Sequence, residues 1–259
     1  MRERRVIEAI PVEVRRNTRR RTRIGLAFDP GGYVIVEAPL DASEAELRTV
    51  IRENHRWLRY RLDKVADSTA MSATITYEPG ELMHFLGHPY ELSVRYGLRD
   101  GVALLRRESP QLSLFRQGSV KGELRVVLAV SGAGRRTEAE RVRGNVNEWY
   151  RERACHVFGQ QLERFRLELP WLGGRMPEWR HRFMRSQWGS CSVTGRISLN
   201  THLVKTPRRL IEYVVLHELC HIRHHDHSRR FYGLMQRYMP DWERRRGELD
   251  RYLPVLLQE

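Results

Sequence analysis

His217-Glu218-Leu219-Cys220-His221 sets two imidazoles four residues apart with a carboxylate beside the first. On an α-helix, residues i and i+4 lie on one face about 6 Å apart, so both rings can reach a single cation, and catalytic zinc is the ion such a pair takes in hydrolytic sites. Glu218 points to one side of the pair, where it would activate water rather than bind metal. A catalytic zinc takes three protein ligands and leaves one place open. Candidates for the third crowd into His224-His225-Asp226-His227. A continuous helix would put His225 about 12 Å and His227 about 15 Å along the axis from His217, too far to share an ion, so the chain must turn back. His227 is the better candidate: the helix can end near His225, and Asp226 tolerates the left-handed backbone that such a reversal often uses. His224 and His225 read as solvated or supporting residues.

The surrounding residues predict how this pattern is held. Thr206 serves as helix cap and Pro207 as first helical residue. Leu210, Ile211, Val214 and Val215 form an apolar stripe, thickened by Leu216 and Leu219, that buries the helix. Ser228 caps a second helix with Phe231, Leu234, Met235 and Tyr238 at helical spacing, closed by Pro240. Residues 183–192 and 196–200 read as strands around a turn at Val193-Thr194-Gly195. An exposed edge there would pair with an extended peptide, an idea that fails if residues 197–199 are paired on both sides. Arg185, Trp188 and Asn200 are candidate substrate-binding residues, and Arg185 or Tyr232 would assist a developing oxyanion.

Farther out, Thr137-Glu138-Ala139-Glu140 opens a long helix through about Phe165, with Val142, Val146, Trp149, Tyr150, Val157, Phe158 and Leu162 inward. Ser43-Glu44-Ala45-Glu46 opens another, with Leu47, Val50, Ile51, Leu58 and Leu62 on its face. Residues 23–28 and 33–36 predict a hairpin about Asp29-Pro30-Gly31-Gly32. Further strands are expected near 74–77, 84–86, 90–94 and 124–130, with Gly87-His88-Pro89 as a turn. His84 and His88 read as surface or turn residues. The expected class is α+β: a β-rich region over residues 1–135, then a metallohydrolase domain over 136–259, with no repeat of solenoid length.

The 259 residues carry a net charge of +14, and Lys occurs only at Lys64, Lys121 and Lys205, so Arg supplies 43 of the 46 basic side chains. Arg15, Arg16, Arg19, Arg20, Arg21 and Arg23 fall within nine residues, a field suited to phosphates or nucleic acid without sequence preference, or else the outward face of a strand. No helix-turn-helix, RNA-binding or zinc-finger signature accompanies them. Cys155, Cys191 and Cys220 lack metal-pair spacing and suit free thiols in a reducing cytoplasm, Cys220 as a core thiol. Nothing reads as a signal peptide or membrane span.

The spacing of His217, His221 and His227 matches that of metzincins, which carry Gly at i+7 where this chain has His224. A wider likeness runs through Arg185-Ser186-Gln187-Trp188-Gly189-Ser190-Cys191-Ser192, Gly195-Arg196-Ile197-Ser198-Leu199-Asn200, Tyr213 to His221, and His227-Ser228 with Phe231. Val14-Arg15-Arg16, Arg19 to Ile24, Val34-Ile35-Val36 with Pro39, and Trp57 extend it toward the amino terminus. In these residues the chain resembles the YgjP-like metallopeptidase family, most weakly over residues 101–137; Asp226 stands where the family usually has Asn. The resemblance implies an intracellular zinc-dependent hydrolase with a gluzincin-like or SprT-like catalytic half, His217, His221 and His227 as zinc ligands and Glu218 as base. Its substrate is expected to be a peptide or protein. The alternatives are a phosphohydrolase acting on nucleoside triphosphates and a DNA-associated protease.

Overall fold

The computed structural model describes residues 2–16, 24–29, 33–67, 75–106, 120–130, 136–184 and 187–257. The fold is α+β. Two compact units divide the chain, one of residues 1–74 with 185–187 and 250–259, the other of residues 75–184 with 188–249.

In the first unit, β1 (Arg2–Ile7), β2 (Ile10–Arg16), β3 (Gly25–Asp29) and β4 (Tyr33–Ala38) form one sheet in the order β1-β2-β4-β3, parallel between β2 and β4 and antiparallel elsewhere. Ile10, Val12, Val14, Val34, Val36 and Ala38 recur at alternate positions, so one face is apolar. It receives Leu47 and Ile51 from α1 (Glu44–Glu53) and Leu58 from α2 (His55–Asp67). Ser43 and Glu46 cap α1 reciprocally, as their spacing predicts. The single helix expected from Ser43 is broken at Asn54 (φ −102°, ψ 6°), whose side-chain amide donates to the Val50 carbonyl at 2.8 Å and offers the backbone an alternative to helix. β1 and β2 were not foreseen as a hairpin. Their two-residue turn, Glu8-Ala9, has φ of 50° and 60° without the Gly or Asn that usually marks such a turn.

In the second unit, β5 (Leu82–Phe85), β6 (His88–Gly97), β7 (Gly101–Arg106) and β8 (Gly122–Ala129) repeat the same plan, β5-β6-β8-β7, with β6 and β8 parallel. Residues 75–78 form no strand, and the hairpin turn is Leu86-Gly87 (φ 51° and 82°) rather than Gly87-His88-Pro89. His84 is a half-buried strand residue. α3 (Glu138–Glu168) starts with Thr137 and Glu140 capping each other and buries ten side chains from Val142 to Phe165. β9 (Trp179–Arg182), β10 (Gly189–Cys191) and β11 (Ile197–Asn200) make a small sheet ordered β10-β11-β9. After a 3-10 segment, Thr201–Lys205, come α4 (Arg208–Arg223), α5 (Arg229–Tyr238) and α6 (Trp242–Leu249). None of the described helices is long and apolar enough to cross a membrane.

The tip of the β5–β6 hairpin docks on the lead-in to α4. Leu86 N–H donates to the Val204 carbonyl at 2.7 Å and Gly87 N–H to that of Lys205 at 3.2 Å. A Cβ on Gly87 would lie 2.6 Å from the Pro207 ring, so both the positive φ and the close approach require glycine. The hairpin thereby fixes where α4 begins.

Candidate metal centre

α4 carries the His-Glu-x-x-His pattern. It starts at Arg208 with Pro207 in the cap position, one residue later than expected; the Thr206 hydroxyl donates back to the Leu203 carbonyl (2.8 Å) instead of capping α4. Leu210, Ile211, Val214, Val215, Leu216 and Leu219 are buried, each stabilising the helix by about 1.5–3 kcal/mol as an upper figure. That offsets the burial of Glu218 on the same helix, provided it stays uncharged or paired. Trp171 Nε1 donates to the Leu219 carbonyl at 3.1 Å and holds the middle of the helix in place.

Beyond Arg223 the chain turns at His224, an extended residue (φ −134°, ψ 104°). The left-handed Asp226 expected there is not found: no residue between His224 and Ser228 has positive φ. Asp226 instead takes a hydrogen bond from the Ser228 side chain, which holds its carboxyl below the usual range, and Ser228 has the backbone of a helix cap without capping through its hydroxyl. This reversal brings His227 back over α4. His217 Nε2 lies 3.2 Å from His221 Nε2 and 3.1 Å from His227 Nε2. Beneath them sits Phe231, fully buried on α5, its ring centroid 4.9, 4.6 and 4.9 Å from those of His217, His221 and His227. Three rings resting on one aromatic plate have little freedom to leave the arrangement.

Does a cation fit? Tetrahedral bonds of about 2.0–2.1 Å from zinc to imidazole nitrogen place the ligand atoms about 3.3 Å apart, close to the separations from His217, and ligand atoms of all three residues lie within 4.8 Å of one another. His221 Nδ1 is 3.0 Å from the His224 carbonyl, which can only accept, so Nδ1 carries the proton and Nε2 presents its lone pair inward. Burial, with the neighbouring imidazoles and Arg246, holds His217 down at about 3; burial is also the main cause lowering His221 and His227. All three are therefore neutral near pH 7, the form that binds metal.

Glu218 is 5% exposed, and burial pushes its carboxyl up to about 8. It lies against β10: a Cβ at Gly189 would fall 2.7 Å from Glu218 Oε1. Only glycine leaves room for that carboxylate, a constraint that spacing along the sequence does not reveal. Cys191, also on β10, is held up at about 11 by burial and by Glu218, so it stays a thiol and is no nucleophile at neutral pH. Cys220 is a fully buried core thiol.

The other candidates fare differently. Asn200 is fully buried, exchanging hydrogen bonds with the Met184 backbone (2.6 and 3.2 Å) and accepting from His202 N–H (3.0 Å); it clamps chain segments and presents no surface to a substrate. Trp188 is a buried side chain, and Arg185 lies outside the described residues. Tyr232 stacks between His227 and Trp242, with centroids 6.1 and 5.0 Å away. β11 pairs with β10 on one side and β9 on the other, so the edge expected at residues 197–199 does not exist. Among the described residues it is β10 that pairs on one side only. Of the arginine cluster, Arg15 is held by Glu13 (2.6 Å) and Arg16 by the Leu40 and Ala42 carbonyls (3.1 and 2.7 Å); Arg19, Arg20, Arg21 and Arg23 lie outside the described residues.

No curated protein and no solved structure matches the chain. A family model does, described as YgjP-like, metallopeptidase domain, over residues 22–252. With most of the sequence inside that match, from β3 through the three imidazoles to the end of α6, the chain belongs to the YgjP-like metallopeptidase family.

Proposed function

We propose that the protein is a zinc-dependent hydrolase of peptide bonds, with His217, His221 and His227 holding the ion and Glu218 as its general base, and that residues 136–259 carry this chemistry. The observation that supports it best is the convergence of three neutral imidazole nitrogens, with a buried carboxyl on the helix that carries two of them. Zinc bound there would supply a Lewis acid that polarises a carbonyl and brings the pKa of a coordinated water towards neutrality. Glu218 takes a proton from the attacking water and returns it to the departing amine. Burial raises its proton affinity, and a cation held beside it by the imidazoles would draw it back toward the carboxylate form that accepts a proton. Gly189 lets the carboxyl sit close against β10, and Phe231 keeps the imidazoles from rotating away.

The substrate we assign is an extended segment of polypeptide. β10 has an unpaired side among the described residues and lies directly against Glu218, so a peptide added as a further strand would run past the base. Two of the six clustered arginines are engaged within the protein, and nothing described in this cluster favours nucleotide over peptide. A reducing cytoplasm is the compartment we infer from three free cysteines.

Glu218→Gln tests the assignment. With unfolded casein as substrate, it should keep bound zinc while lowering turnover by about 10²–10⁴-fold. Retained turnover, or loss of zinc with this change, would contradict the roles given.

A further inference from the structure

Three consecutive arginines on α6 have different surroundings. Arg245 is held by Asp241 (2.9 Å), by Glu212 (3.0 Å) and by the Arg209 carbonyl (2.9 Å), and Arg244 by Asp241 (2.5 Å). Arg246 has no carboxylate within ion-pair distance among the described residues. Glu248 pairs with Arg209, and with Arg245 on Glu212 these contacts lay α6 antiparallel against the first turns of α4. The buried side of α6 is formed by Trp242 and Leu249, with Arg245 half-buried beside them. At about 100° per residue, Arg246 lies some 40° round the helix from Trp242, on the flank opposite Glu248. Trp242 is the side chain that stacks on Tyr232, and Tyr232 on His227. Arg246, exposed to solvent, is therefore carried on the flank of α6 that continues from the Trp242–Tyr232–His227 stack toward the imidazoles.

A lone guanidinium beside a cation site is unfavourable unless an anion comes between them. Hydrolysis creates one. We propose that Arg246 is a further catalytic residue, whose guanidinium receives the substrate oxygen that becomes negative as water adds to the carbonyl. In that step a C–O bond forms, the carbonyl π pair moves onto oxygen, and the water proton goes to Glu218. On collapse the C–N bond breaks, its pair leaves with the amine, and Glu218 protonates that nitrogen. Arg246 changes no bond: it donates hydrogen bonds to the oxygen while the charge is there. The assignment rests on the metallohydrolase reading and gives that site an oxyanion donor besides the ion.

The test uses the full-length zinc-loaded protein and its Arg246→Ala and Arg246→Lys variants. Three quantities are measured: kcat and KM on unfolded casein, zinc content, and calorimetric affinity for a peptide phosphonate and for the amide peptide of the same sequence. Expected for Arg246→Ala are a fall in kcat of about 10²-fold with KM nearly unchanged, a similar loss of phosphonate affinity, unchanged amide-peptide affinity and full zinc. Arg246→Lys should restore part of both losses. Wild-type phosphonate affinity in the alanine variant, loss of zinc, or a raised KM with kcat intact would overturn the proposal. Should the alanine variant fail to fold, Arg246→Gln carries the same expectations. Inorganic phosphate separates this inference from its parent. If wild type cleaves no casein yet binds phosphate through Arg246, the anion seat stands and the peptidase reading falls. Hydrolysis of nucleoside triphosphates that depends on Arg246 would reassign the seat to phosphoryl oxygens and overturn the carbonyl version.

Discussion

The two four-stranded sheets share one plan, down to a hairpin whose two-residue turn has positive φ at both positions, yet the two tips meet different partners. At the first, the Glu8 and Ala9 carbonyls lie near His55 Nε2 (3.1 Å) and accept from Arg59 (3.2 Å), while Arg52 holds the Glu8 carboxylate at 2.9 Å: the turn is braced by side chains of the helix pair that follows its own sheet. At the second, Leu86 and Gly87 bond to the backbone of the segment leading into α4. Only the second hairpin bonds to the segment that leads into the helix carrying His217, Glu218 and His221. A strand plan is thus indifferent to function, and the site belongs to what one of the two copies has been docked against.

Substitutions that separate these roles can break the contrast. The largest effect is expected next to the base. Gly189→Ala would press a methyl group into Glu218, and a displacement of about 1 Å should lower kcat by about 10²-fold or more while zinc stays bound. Activity at the wild-type level would mean that the carboxyl position is not critical. Next comes the second hairpin: Gly87→Ala meets both a left-handed backbone and the Pro207 ring, and should cost about 2 kcal/mol in urea unfolding and weaken zinc affinity with it. Were zinc affinity unchanged, the hairpin would not be positioning α4.

A smaller effect tests the same lead-in segment from inside. Lys205 is 2% exposed, under the Tyr150 ring at 5.0 Å, and burial lowers it to about 7. Its folded pKa lies below the unfolded value, so between about pH 7 and pH 10.4 the unfolded chain holds the extra proton and wild-type stability rises with pH across that window. Lys205→Met should be more stable than wild type by about 1–2 kcal/mol near pH 7, with the gap closing by pH 10; a pH-independent gap would show that Lys205 is charged in the fold. The smallest change is Ala9→Gly. It relieves a left-handed Ala in the first hairpin and should stabilise by less than about 1 kcal/mol, leaving zinc affinity untouched.

Local chemistry was readable from the sequence, whereas long-range fit was not. Both capping boxes, at Ser43 and Thr137, depend on residues three apart, and the imidazole pair on residues four apart; such spacings are fixed by helix geometry alone. His227 could be singled out because a continuing helix would carry it out of reach, although the reversal runs through an extended His224 rather than a left-handed Asp226. The β1–β2 hairpin left no mark because Glu8 and Ala9 are held in their turn by distant side chains. The single residue that ends α1 is an Asn whose side chain competes for a carbonyl, a local event that the apolar stripe running through it conceals. Gly189, Gly87 and Arg246 owe their importance to partners far along the chain, and Asn200, placed among substrate contacts by its neighbourhood in sequence, is a buried clamp.

Metal binding by wild type and by His227→Ala tests the central claim most directly. Purified wild type should hold one zinc per chain with three imidazole nitrogens in its X-ray absorption spectrum, and His227→Ala should lose most of that zinc without unfolding. An ion held equally well by the variant, or no zinc in the wild type, would contradict the account.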